Sequence, residues 1–460
     1  MDPIRPHTAP GDPLIQRPRR RARHLLRLVA GVALGLGVWT CAGAGEKPRP
    51  KVLLIGVDAG EWDVLGPLLD QKRVPAFAKL RDTGASGKLR SLEPLTKSPV
   101  IWASIATGKV PKKHGVSDFF VKQGERERSA ARARGDSAAA ESDPMVTSNL
   151  WRARPIWDIL GSLGKKVGVV GWWTTWPAQP VNGSLITDYV QYDLADWGAR
   201  DTRRTYPASL DSLVAALRRT PESVSWAELF QFVPAIDTTK VTERQKSLVQ
   251  QLRWIYAADM TFYRVAMHLY RASHPEFFTV YFRGVDEVSH VYWDIDLPNN
   301  SQFVSSDAEY DWLKRIVPNY YVFTDRLIGD FLREAGPKTN VIVCSDHGFQ
   351  GGGKGVGAHK VDGIVLMMGP DVMRDANISG ATVLDITPTV LALYGLPTAL
   401  DMDGRPIEDA LMPGVMKRLG HEKHLATYET ARPKGGSEEP LRSPVDEELR
   451  ERLRSLGYIQ

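Results

Sequence analysis

The chain has 460 residues, 43% hydrophobic and 25% charged, the proportions of an ordinary globular protein with room for one large α/β domain with insertions, or for two domains. Its net charge of +5 sits at the start, where residues 1–44 hold seven arginines against Asp2 and Asp12. The remainder is neutral, which excludes a global basic face for nucleic acid.

In chain order, Arg17, Arg19, Arg20, Arg21 and Arg23 precede an apolar run from Leu25 to Thr40 that only Arg27 interrupts, followed by Ala42-Gly43-Ala44. A basic start, a short apolar stretch and small residues predict a secretory signal cleaved after Ala44, hence a periplasmic or extracellular protein. An uncleaved anchor attaching the chain to a membrane, or a plain basic tail, are the alternatives; the run is short for a spanning helix. Cys41 suggests lipid attachment, although Trp39 and Thr40 suit that poorly. The second cysteine is Cys344, so neither a disulfide nor a thiolate metal site is expected.

Residues 46–414 read as the main domain. Lys51–Asp58 is a continuous apolar run ending in a carboxylate, the mark of a parallel strand buried on both faces. The same logic predicts strands at Lys166–Gly171, Phe277–Phe282, Asn340–Cys344 and Gly363–Met368. Helices are predicted between them, for example Pro155–Leu163 and Pro318–Ala335. Alternating strands and helices imply an α/β fold, a mostly parallel central sheet with helices on both faces. Residues 121–149 are charged and rich in small residues, which predicts a loop. Residues 192–275 interrupt the alternation with helical patterns and many aromatics. They are expected to form an inserted helical cap, the alternative being extra helices on the sheet face. Residues 415–440 read as a polar tail. Val445, Leu449, Leu453 and Leu456, with Gly457 as helix stop, predict an amphipathic helix that docks back on the domain.

Chemistry gathers at the ends of these strands, where open α/β sheets bind ligands. Asp58 closes the first strand; alone, such an acid binds ribose or a single Mg²⁺ as readily as a catalytic ion. Asp286 and His290 stand four apart after a strand, so on a helical turn both face one side and can share an ion; the alternative is an N-cap aspartate with an incidental exposed histidine. Asp346 and His347 follow another strand, and the glycine-rich 351–357 stretch leads to His359. That stretch fits neither the Walker nor the dinucleotide spacing. Ser98 precedes an apolar run entering a helix, where it can be a nucleophile, an N-cap before Pro99, or both. Lys109 reads as an exposed helix lysine or a phosphate contact. Trp172, Trp173 and Trp176 read as pocket lining or as packing. Oxygen and imidazole donors without thiolates suit two hard or borderline divalent ions such as zinc or manganese, and a hydroxyl among them suits a metal-activated nucleophile. Together these residues predict a two-metal hydrolase acting on a phosphate-ester substrate.

The set resembles the alkaline phosphatase superfamily, and within it the type I phosphodiesterase/nucleotide pyrophosphatase branch. The resemblance spans Lys51 to Asp409. It rests on the strand ending in Asp58, on Ile105-Ala106-Thr107-Gly108-Lys109 with His114-Gly115, and on Asp286…His290. Ser345-Asp346-His347-Gly348, Gly357-Ala358-His359, Asp385-Ile386-Thr387-Pro388-Thr389 and Asp401-Met402-Asp403-Gly404 complete it. It implies a binuclear centre, usually zinc, with Asp58, Asp346 and His347 on the ion that activates the nucleophile and Asp286, His290 and His359 on the other. It further implies attack by Ser98 and a phosphoseryl intermediate. Relatives place proline two residues after the nucleophile, whereas Pro99 follows Ser98 directly, which makes Thr96 the alternative. A phosphotransferase or mutase, or a catalytically silent metal-binding module, are the other functions such a scaffold carries. A sulfatase is disfavoured, since no Cys-x-Pro-x-Arg or Ser-x-Pro-x-Arg sequence is present.

Overall fold

The computed structural model describes residues 51–124, 143–192, 202–293, 311–419, 424–429 and 441–459, together with positions 133 and 135. The signal-like residues 1–44, most of the 121–149 loop and part of the 415–440 stretch lie outside the described residues. The strands that build the sheet and the site are β1 (Lys51–Val57), β2 (Ala85–Arg90), β3 (Val167–Val170), β4 (Gly183–Ile186), β5 (Thr205–Tyr206), β6 (Phe277–Phe282), β7 (Thr339–Cys344), β8 (Gly348–Phe349), β9 (His359–Lys360), β10 (Asp362–Met368) and β11 (Ala376–Ile378). Nine of them form one sheet in the order β11-β2-β10-β7-β1-β6-β3-β4-β5, while β8 and β9 pair separately.

The fold is α/β, with a mostly parallel sheet between helical layers. Strands β7, β1, β6, β3 and β4 run parallel. Strand β10 is antiparallel to both β7 and β2, and β5 is antiparallel to β4. Side chains of β1 alternate between faces, as strand geometry requires. Leu53, Ile55 and Val57 enter one apolar layer, and Val52 and Leu54 enter the other. Burial on both faces is why this strand is apolar throughout.

Residues in the 192–275 stretch supply the edge strand β5 and several helices, the longest being Glu243–Ser273. Thr242 caps that helix by accepting from the Gln245 amide, the reciprocal capping arrangement with Gln245. Its Val249, Leu252, Ile255, Phe262 and Val265 are buried in the same apolar layer as Phe278 and Val280 of β6, so it lies on the sheet face. No helix among the described residues is long and apolar enough to cross a membrane.

Candidate metal centre

Three adjacent parallel strands deliver the ligand candidates. In the sheet β1 lies between β7 and β6, and Val57 pairs with Phe282 while Gly56 pairs with Cys344. The carboxyl ends of these strands are therefore level. Asp58, the helix Gly284–Tyr292 with Asp286 and His290, and the turn with Asp346 and His347 all emerge at one edge. The hairpin β8–β9 pairs Phe349 with His359 and so folds His359 back onto His347. The two imidazoles stack with centroids 3.7 Å apart.

Asp58, Asp346 and His347 form one buried group whose donor atoms lie within 4.8 Å of one another. His347 Nε2 is 3.4 Å from Asp58 Oδ1 and 3.3 Å from Asp346 Oδ2. His347 Nδ1 lies 3.0 Å from the Gly348 carbonyl; donation there places the proton on Nδ1 and leaves the Nε2 lone pair directed at the carboxylates. In a second group, Asp286 Oδ1 is 3.3 Å from His290 Nε2 and 3.5 Å from His359 Nε2, and the two histidine nitrogens are 3.0 Å apart. Asp286 and His359 also come within 4.8 Å of His347. With only its Nε2 available, His347 can serve one ion, and its close approach to two carboxylates places it with Asp58 and Asp346.

Electrostatics set these groups apart. Burial, then the Asp286 charge, raises the Asp58 carboxyl above its ordinary range. Burial and the neighbouring Asp58 push Asp346 well above it. For Asp286 burial also acts upward, but His290, His359 and His347 outweigh it and hold its carboxyl low. Burial is the main cause that holds protonation of the His359 imidazole far below its usual range. Asp58 Oδ1, Asp286 Oδ1, Asp346 Oδ2 and His347 Nε2 are all buried without a hydrogen-bond partner. Buried polar atoms are rarely left so, and four converging ones fit divalent cations bound by oxygen and imidazole.

Surrounding residues fix the candidate ligands. Ala59, at φ +54, turns the chain sharply after β1, and its amide donates to Asp346 Oδ1 at 3.3 Å; a non-glycine residue in that region stores strain of the kind found at functional sites. Tyr281 on β6 donates its hydroxyl to Asp58 Oδ2 and accepts from Trp173 Nε1 at 2.7 Å. Asp259 accepts from the Arg283 and Gly284 amides, at 3.2 Å each, and from the Tyr320 hydroxyl at 3.0 Å. It thereby fixes the start of the helix that carries Asp286 and His290. A Cβ on Gly284 would sit 2.2 Å from Tyr320 Oη and 2.3 Å from Asp259 Oδ2, so only glycine fits there.

Ser98 is buried at the start of the helix Ser98–Thr107 and lines one cavity with Asp58, Tyr281, Arg283 and Asp286. Thr96 is not among the residues lining it. The cap position belongs to Lys97, with Ser98 and Pro99 in the first turn. Motifs around this helix hold it in place. Thr387 donates to the Ile105 carbonyl at 2.7 Å, and the Asp403 amide donates to Gly108 O at 2.8 Å. His114 Nε2 lies 2.9 Å from Ser104 Oγ.

Lys109 departs from its expected place on an exposed helix face. It is 3% exposed and ion-paired to Asp401 Oδ2 at 2.7 Å and Glu429 Oε1 at 2.8 Å. It makes a structural link away from the cavity, because the chain after Gly108 turns toward the Asp401–Gly404 loop. Of the three tryptophans, Trp173 lines the cavity. Trp172 is buried and donates to Thr279 Oγ1 at 2.7 Å, and Trp176 stacks on Tyr189. Sequence reasoning missed Tyr281, Arg283 and Tyr458 at the site. Arg283 stands three positions before Asp286, and an arginine directly after an apolar strand, in the segment that bears candidate ligands, was the available signal.

Residues 52–398 match the model of a family described as type I phosphodiesterase / nucleotide pyrophosphatase. Among solved structures, the chain is similar to human ectonucleotide pyrophosphatase / phosphodiesterase 5, at 12% identity over 78% of this chain and 99% of that one (TM-score 0.43). It is similar to a variant of the alkaline phosphatase PafA at 13% identity over 79% and 99% (TM-score 0.48). A phosphonate monoester hydrolase from Silicibacter pomeroyi is similar at 13% identity over 78% and 76% (TM-score 0.45). No curated protein matches.

Proposed function

This chain belongs to the type I phosphodiesterase / nucleotide pyrophosphatase family, a family of phosphoester hydrolases, and we propose that it cleaves phosphate esters through Ser98 at a centre of two divalent ions. The observation that carries this reading is the convergence of four unpartnered buried ligand atoms beside a cavity that Ser98 lines. Asp58, Asp346 and His347 would hold one ion, and Asp286, His290 and His359 the other, with zinc the metal best suited to the mixed donors. When bound, the ions supply Lewis-acid charge that neutralises phosphoryl oxygens and eases deprotonation of the attacking hydroxyl and of water.

The protein's own groups do the rest. Ser98 Oγ attacks phosphorus, the bond to the leaving oxygen breaks, the serine proton passes to that oxygen, and a phosphoseryl ester forms. Water then attacks the same phosphorus, the bond to Oγ breaks, and a proton from that water passes to Ser98 Oγ. The first-turn amides of the Ser98–Thr107 helix favour negative charge at that end. Arg283 is buried over the Trp173 ring, 4.5 Å from its centroid, and its Nε and Nη2 lack acceptors. It is placed to receive a non-bridging phosphoryl oxygen. The arginine-rich start followed by an apolar run extends the proposal to an exported protein, which N-terminal sequencing of the mature chain tests.

Turnover of bis-p-nitrophenyl phosphate and p-nitrophenyl phosphate by the zinc-reconstituted chain tests the activity. Ser98→Ala is expected to lower kcat by on the order of a thousandfold or more with zinc content unchanged, whereas Asp346→Ala loses zinc as well. Full activity of Ser98→Ala would refute the serine mechanism. Turnover only with an added alcohol acceptor would replace hydrolysis by phosphoryl transfer.

A further inference from the structure

The cavity that Ser98 lines is closed by the C-terminal segment. Its walls are Asp58, Ser98, Arg283 and Asp286 on the sheet side and Leu449, Arg452, Leu453, Leu456 and Tyr458 on the other, and its volume is about 10 Å³. That is room for about one water molecule, far below the roughly 300 Å³ at which small-molecule pockets begin. A phosphate ester cannot share this space with the tail.

What fills it is Tyr458. Its phenolic oxygen lies 3.0 Å from Asp286 Oδ2, 3.0 Å from His290 Nε2 and 3.2 Å from His359 Nε2, in the cavity that Ser98 also lines. One oxygen thus touches all three proposed ligands of the second ion, in the cavity lined by the proposed nucleophile. The ring packs edge-on against Phe119, with centroids 5.3 Å apart, and against His290 at 4.9 Å.

The docking is specific along its length. Val445, Leu449 and Leu453 are buried with Phe119, Met145, Trp176 and Tyr189. Arg452 pairs with Glu287, the neighbour of Asp286, at 2.6 Å with both side chains buried, and it lies over Trp254. After the helix Asp446–Ser455 the chain reverses at Gly457, φ +80. There it meets the backbone of Gly355, in the loop leading to His359, so closely that a Cβ on Gly355 would stand 2.8 Å from Gly457 O.

We propose that Tyr458 is a tethered occupant of the catalytic cavity, its phenolic oxygen standing where an oxygen of the phosphate ester belongs, so that substrate enters only when the C-terminal segment withdraws. This rests on the phosphoester reading above. An internal competitor lowers the fraction of binding-competent molecules, and apparent affinity falls by that fraction. Weakening the dock therefore tightens binding of phosphate-like ligands without any new contact.

The test uses the full zinc-loaded chain, orthovanadate as probe, and two variants, Tyr458→Phe and the double variant Leu449→Ser/Leu453→Ser. Vanadate affinity is measured by calorimetry, and amide hydrogen exchange is followed over residues 443–459. Saturating vanadate is expected to speed exchange of those amides at least fivefold in the unaltered chain. Both variants should bind vanadate several-fold more tightly at unchanged zinc content. Vanadate binding with unchanged or slower exchange of the segment, or weaker binding by the variants, would overturn the proposal and leave the phosphoester reading intact. Failure of all three zinc-loaded chains to bind vanadate would remove both.

Discussion

Tyr281→Phe deletes one oxygen from a chain of contacts that ends on the first proposed ligand set. The hydroxyl is wholly buried, donates to Asp58 Oδ2 and accepts from Trp173 Nε1 at 2.7 Å. Phenylalanine keeps the ring and its edge-on packing against Trp102, so the loss is confined to hydrogen bonding. Leaving the Asp58 oxygen without a donor costs about 1–3 kcal/mol; the Trp173 indole is only half-buried and can recover part of its bond from water. The donor also favours the ionised carboxylate, which burial already disfavours, so its removal raises the cost of presenting Asp58 to a cation. Supporting partners of metal ligands are typically worth about 10–100-fold in affinity, equivalent to about 1.4–2.7 kcal/mol. Chelator competition at pH 7.5 should show zinc affinity reduced within that range. Urea denaturation of the zinc-free protein should show a stability loss of about 1–3 kcal/mol. Zinc affinity within twofold of the unaltered chain would refute the assignment of Tyr281 as support for a metal-ligating Asp58.

Lys109→Met removes a buried cation shared by two partly exposed carboxylates; a stability loss of about 2–3 kcal/mol is expected in urea, with zinc content unchanged, and a loss of zinc instead would place Lys109 at the site. Metal affinity should rise with pH, because Asp58 and Asp346 are both held above the ordinary carboxylate range and must release their protons to bind an ion; equal zinc affinities at pH 5.5 and 7.5 would contradict this. Asp259 is pushed up to about 7, burial being the main cause. The unfolded chain therefore ionises first, so the group's neutral-state stability is fully present below about pH 4 and is lost at up to about 1.4 kcal/mol per pH unit as pH rises toward 7. Denaturation of Asp259→Asn should show a flatter pH dependence over that window, and an unchanged slope would show that Asp259 is not its source.

Strands β1, β6 and β7 were legible because a parallel strand covered on both faces must be apolar at every position, and Leu53, Ile55, Phe278, Val280, Val341 and Val343 are accordingly all buried. Asp58, Asp346 and the Asp286–His290 pair stood out as candidates because carboxylates and imidazoles follow directly after such strands, where open α/β sheets bind ligands. Strands β2, Ala-Ser-Gly-Lys-Leu-Arg, and β5, only Thr205–Tyr206, carry no such pattern and owe their existence to the edges they pair with. The direction of β10 was equally hidden, since an apolar run looks the same whichever way its neighbours point.

What the sequence determined by itself was the inventory: which strands are buried, which loops carry candidate ligands, and that the last helix has an apolar face to hide. The tertiary structure decided which of these meet. Backbone pairing is chemically uniform, so nothing local announces that β1 lies between β7 and β6, and that order alone brings Asp58, Asp286 and Asp346 together. Tyr281 read as one more aromatic in a strand and Lys109 as one more surface lysine until contacts more than a hundred residues away fixed their partners. Tyr458 is the extreme case, its three ligand contacts lying 99 to 172 positions upstream; side-chain roles of that kind are set by distance in space, which the linear order of residues does not encode.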